Sequence, residues 1–166
     1  MKQAAPRGDI DGSVASPTTT HAPADHPVAM RLAYAGLLPF VLGAALVWLI
    51  GDHDLEAHAF VSLSLSAYAA LTLSFLGGIH WGLAFRQAAS PPVSSFAWGV
   101  VPSAMAWVAV MMPAYAGLVL HGVMLVVCYL VDRRLYPALG AAGWLTLRFR
   151  LSSVAALACF IAAAGS

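Results

Sequence analysis

From Leu32 to Ile50, nineteen residues pass without a charged side chain, and comparable apolar runs recur four more times along the chain. That length constrains the fold because the hydrocarbon core of a bilayer takes about 20 helical residues, within a range of roughly 17–25. The further runs are Ala59 to Phe85, Phe96 to Met112, Ala114 to Val131 and Leu151 to Gly165. Arg31, Gly51-Asp52, Arg86-Gln87, Pro91-Pro92, Pro113 and Asp132-Arg133-Arg134 punctuate them. The first four are long enough to cross. The last holds 15 residues and crosses only if its helix begins near Trp144. Arg148 and Arg150 would then lie in its first turns and snorkel to the headgroups. The expected fold is an all-α integral membrane bundle of five transmembrane helices.

Composition argues the same way. Hydrophobic residues make up 61% of the chain and charged residues 9%, against roughly a quarter charged in a soluble domain. So little polar surface cannot cover a core in water, and the lipid bilayer is the partner that the composition names. The net charge is +1, with no basic stripe interleaved with aromatics, so no nucleic acid is expected. Cys128 and Cys159 lie inside apolar runs without metal-ligand or redox spacing and read as packing residues. Residues 1–27 differ in kind: rich in Pro, Ala, Thr and Asp and without apolar periodicity, they read as a disordered tail preceding a transmembrane domain over 28–166.

Charge predicts the orientation. With five spans, the tail, the loop around Arg86 and the loop from Asp132 to Arg150 fall on one side. They carry Lys2, Arg7, Arg31, Arg86, Arg133, Arg134, Arg148 and Arg150, all eight basic residues of the chain. The first loop on the other side carries Asp52, Asp54 and Glu56. By the positive-inside rule the N-terminus is cytoplasmic and the C-terminus outside. A single span in place of the third and fourth runs would destroy this asymmetry.

The second run repeats a small residue at every fourth position: Ser62, Ser66, Ala70, Ser74, Gly78, Gly82. Residues four apart share a helix face, and small residues let helices approach closely in lipid. Ser74, Gly78 and Gly82 are therefore expected at a helix–helix contact, with this span at the centre of the bundle.

Ionisable groups within apolar runs are the candidates for function. His80 lies about two turns inside Arg86, and Trp81, Ser103, Tyr129, Asp132 and Arg148 fall near the same cytoplasmic depth. Tryptophans and most arginines at that level are ordinary interfacial anchors. A histidine and an aspartate are less so, and the carboxylate needs a partner, for which Arg148 is the candidate. A cytoplasm-facing pocket around His80, Asp132 and Arg148 is the resulting expectation. No cofactor or metal is expected. His121 lies several residues deeper than His80, too far along the bilayer normal for a shared haem iron. His53 and His58 accompany the acidic outer loop, which reads as solvated rather than metal-binding.

The segments Tyr34-Ala35-Gly36-Leu37-Leu38-Pro39-Phe40, Ser74 to Gly82 (SFLGGIHWG) and Val101-Pro102-Ser103 with Trp107 resemble the uncharacterised membrane family known as domain of unknown function 3429. Tyr129 with Asp132, and Leu147-Arg148, are similar to its later positions. The resemblance covers roughly residues 31–160. It implies a multi-pass protein of bacterial or mitochondrial inner membranes, and a bacterial inner membrane is the expected location. It implies no activity.

Three functions follow as expectations. The first is a non-catalytic accessory or assembly factor, bound to a membrane-protein partner or to itself as a homo-oligomer. The second is a small-molecule or lipid-binding protein, or an enzyme, using the pocket. The third is a transporter component, disfavoured because five spans do not divide into two equal inverted repeats.

Overall fold

A computed structural model describes residues 26–86 and 93–166; most of the tail, residues 1–25, lies outside that range. Regular structure among the described residues is helical. Six helices are present: α1 (Pro27–Ala35), α2 (Leu38–Ile50), α3 (Leu55–Arg86), α4 (Val93–Val110), α5 (Ala114–Leu135) and α6 (Leu145–Ala164). With α1 and α2 counted together, and a short 3-10 turn leading into α6, they form five helices long and apolar enough to cross a membrane. The protein is a multi-pass membrane protein.

The last helix starts at Leu145, next to the expected Trp144, so its 20 residues reach the length that the apolar stretch alone lacks. One boundary moves: the first span begins at Pro27, taking in the end of the expected tail, and is broken at Gly36-Leu37. The break has a local cause. Pro39 has no N–H to give to the Ala35 carbonyl four residues back, and beside the break the Gly36 carbonyl accepts the Tyr68 hydroxyl at 2.9 Å.

α3 is the hub, packing against α2, α4, α5 and α6. At about 1.5 Å per residue its 32 residues extend about 48 Å, so it either tilts or projects beyond a bilayer core of about 30 Å. Its buried positions are Ser62, Leu65, Ser66, Ala69, Leu73, Leu76, Gly77, His80 and Ala84. They recur in steps of one, three and four, the pattern of a single helix face.

The small-residue stripe does not follow that face. At about 100° per residue, each step of four over-rotates by about 40°. Four steps carry the stripe from buried Ser62 roughly half-way round the helix to Gly78. Ser74, Gly78 and Gly82 are exposed, and a Cβ at either glycine would meet nothing within 4 Å. The expected packing role passes to Gly77, where a Cβ would land on the Gly99 carbonyl oxygen of α4. Small and polar residues such as Ala44, Ala69, Ala106, Ala156, Ser62 and Ser95 share the interior with Phe40, Leu73, Leu118 and Leu125, whereas Trp48, Leu49, Phe60 and Phe75 point outward. The small residues suit a lipid solvent, where close helix approach replaces hydrophobic exclusion as the source of cohesion.

At the far end from the arginines, side chains cap α6. The Trp48 indole donates to the Ile161 carbonyl at 2.8 Å and His58 Nε2 bonds the Gly165 carbonyl at 2.9 Å. His58 thus belongs to the first turns of α3 and satisfies a helix end that lacks partners of its own, in place of the solvated-loop role expected for it.

Candidate functional site

His80 sits on the packing face of α3 and Asp132 on that of α5, one turn beyond buried Cys128. Arg148 enters from the first turn of α6. Taking His80 as the Nε2–H tautomer, its ring donates to Asp132 Oδ1 at 2.8 Å. Arg148 Nε donates to Asp132 Oδ2 at 2.9 Å, and Arg148 Nη2 donates to the same oxygen. His80 and Asp132 are each 1% exposed and Arg148 9%. Ions removed from water are tolerated only when fully partnered. Here one carboxylate takes three donors on two oxygens and leaves no net charge in the Asp–Arg pair.

The remaining site candidates are placed elsewhere. Trp81 is 40% exposed, gives its indole N–H to the Phe96 carbonyl at 3.0 Å and stacks edge-on against Phe96. It belongs to the α3–α4 contact. Tyr129 packs its ring against Phe149, at 5.3 Å between centroids. Ser103 is half-buried on α4, and among the described residues no hydrogen bond ties it to the triad.

Tyr136 is the participant that sequence reasoning missed. It is 3% exposed, just past the end of α5, with its ring centroid 6.0 Å from that of His80. Its spacing of four from Asp132 was the available signal. Burial, then the Asp132 charge, push its hydroxyl up to about 12, with Arg148 opposing. The unfolded chain releases this proton near pH 10, so stability is constant below that and falls as pH rises from about 10 to about 12. A pH series of thermal unfolding is expected to show that fall, and Tyr136→Phe is expected to flatten it.

The triad side chains bond chiefly to one another, and the buried His80 Nδ1 has no hydrogen-bond partner. Beside the triad lies a cavity of about 590 Å³ bounded by α1, α2, α3 and α6, with Leu32, Phe40, Phe75 and Trp144 on its walls. Of the three triad residues only Arg148 lines it, joined by Ser152 one turn further along α6. Phe75 and Leu71 on the α3 wall are each 69% exposed, so the space opens sideways, toward lipid. The Ser152 hydroxyl is buried and has no hydrogen-bond partner.

Comparison with known proteins gives the same family as the sequence motifs. A family model described as "Protein of unknown function (DUF3429)" matches residues 26–164. Transmembrane protein 69 of Xenopus tropicalis is 36% identical over 85 residues, which is 50% of this chain and 32% of that protein. The matched stretch spans about a third of that relative's length. No solved structure matches.

Proposed function

Because the chain belongs to this family of unknown function, its own geometry has to carry the reading, and we propose that it is a binding protein that holds a membrane-borne amphipathic molecule in the cavity beside Arg148. The single observation behind this is the joining of an apolar cavity of about 590 Å³ to two polar groups, Arg148 and Ser152, at its α6 wall. Ligand sites have this composition: mostly apolar walls and a few placed polar groups, in volumes of about 300–1,000 Å³. The Asp132 carboxylate fixes the guanidinium without filling the cavity. We place the protein in a bacterial inner membrane with the arginine-rich end cytoplasmic, on the strength of the one-sided distribution of Lys and Arg.

A role as accessory or assembly factor in a larger membrane complex is the second reading. It is favoured by the outward position of Ser74, Gly78 and Gly82, over which a partner's helix finds open space.

Native mass spectrometry of the tagged protein, released with its own lipid, separates the two. Binding predicts the chain, alone or as a homo-oligomer, carrying a constant small-molecule increment that Ala33→Phe, at the cavity wall, removes. The chain together with other polypeptides, and without that increment, would replace the binding reading by the accessory one.

A further inference from the structure

Two arginines that the buried triad does not use stand on the outer side of the contact between α5 and α6. Arg133 and Arg150 are both exposed, and neither guanidinium has a hydrogen-bond or ion-pair partner among the described residues. Asp132 is the one described carboxylate at this end of the bundle, and Arg148 takes it. The other described acidic residues, Asp52, Asp54 and Glu56, lie around the start of α3, at the far end.

Packing beneath the pair fixes its position. α5 and α6 run antiparallel, with Asp132 opposite Arg148 and Gly122 against Phe160. Arg133 therefore stands level with Leu147. Arg150 lies three residues further into the bilayer, about 4.5 Å at the rise of an α-helix. Beside both is the ring contact of Tyr129 with Phe149, 5.3 Å between centroids. Arg133 is one turn beyond Tyr129 on the same face of α5, and Arg150 follows Phe149, whose side of α6 is 52% exposed.

We infer that this seam binds an anionic phospholipid, with an acyl chain against Tyr129 and Phe149 and the headgroup phosphate on Arg133 and Arg150. Charge is the first reason: two unpaired guanidinium groups call for an anion, and their planar donors match phosphate oxygens. Basic positions between membrane helices at the charged end are where such headgroups are held. Depth is the second reason. Arg150 lies within an apolar helix that has already begun at Leu145, so an anion carried by the bilayer itself reaches it most directly. The headgroup carries no ammonium, since a further cation beside two arginines is repelled. None of the four residues lines the cavity beside Arg148, so this lipid is a second ligand, independent of the one proposed there.

Native mass spectrometry of the full chain in detergent, titrated with dioleoyl phosphatidylglycerol or dioleoyl phosphatidylethanolamine, tests this. Phosphatidylglycerol should bind saturably and more tightly than phosphatidylethanolamine. Arg133→Gln and Arg150→Gln should each weaken it about fivefold, and together about 25-fold, from the roughly 1 kcal/mol that one basic residue contributes at an anionic lipid surface. Both positions are exposed, so the unfolding temperature in lipid-free detergent should stay in place. Arg86→Gln, at the exposed end of α3, and Ala33→Phe, on the cavity wall, should leave the affinity unchanged. An equal loss in Arg86→Gln would reduce the site to a diffuse field of positive charge and overturn it. Loss in Ala33→Phe would move the lipid into the cavity, and equal binding of phosphatidylethanolamine would remove the selection for an anion. An acidic polypeptide that co-purifies and is released by Arg133→Gln, with no lipid bound, would replace the lipid by a protein partner.

Discussion

Asp132→Ala is expected to cost about 3–5 kcal/mol, because it strands the Arg148 guanidinium in a buried position without its counter-charge. The loss should not be read as the worth of the ion pair. Replacing both partners by apolar residues of similar volume is often neutral or better, so Asp132→Leu combined with Arg148→Met should recover most of the stability lost in the single variant. A double-mutant cycle on unfolding in detergent measures this directly, with Asp132→Leu and Arg148→Met as the two single variants. Strong coupling is the expected result, since the two side chains share two hydrogen bonds. Additive losses would mean that the triad holds nothing together. The recovered double variant also separates stability from function: folded but lacking the Arg148 donor, it should bind the membrane-borne ligand weakly.

The second large effect distinguishes two adjacent glycines. Gly77→Leu should destabilise the bundle by about 3 kcal/mol or prevent folding, the upper end of what overpacking costs, because the obstacle is backbone. A Cβ there strikes the carbonyl of Gly99, and Gly99 is itself closed in by Trp81. Neither helix can yield without parting α3 from α4. Gly78→Leu, one residue on, should be tolerated, since the position faces outward with nothing within 4 Å. Gly78→Ala should even stabilise α3 by about 0.5–1 kcal/mol through helix propensity. Thermal unfolding followed by size-exclusion chromatography gives both results. A Gly77→Leu protein as stable as the parent would contradict the α3–α4 packing described above.

These variants also show how far the sequence could be read. Five spans were legible because lipid demands long uninterrupted apolar helices, a signal that local variation does not hide. Less legible was which face of each helix turns inward. In a soluble helix the polar side marks the outside, but in α3 polar residues such as Ser62, Ser66 and His80 lie on the buried face, and repetition at every fourth residue drew attention to Gly78 rather than Gly77. The break at Gly36-Leu37 was written in Pro39, although the apolar run continues through it. For the site, depth along the helices grouped His80, Asp132 and Arg148, and the structure puts them in hydrogen-bonding contact. Depth carries no angular information, however. It also grouped Trp81 and Tyr129, which turn to other neighbours, and it gave no sign of Tyr136 beyond its spacing from Asp132. The cavity was invisible in the sequence because it arises where α1, α2, α3 and α6 come together, and no single segment carries that arrangement.

The most direct test of the central claim is an experimental structure of the protein extracted with its own lipid and never exposed to long-chain detergent. The account predicts ligand density in the cavity, between α1 and α3, passing Phe40 and ending beside Arg148. A cavity collapsed by closure of α1 onto α6, without ligand density, would contradict it.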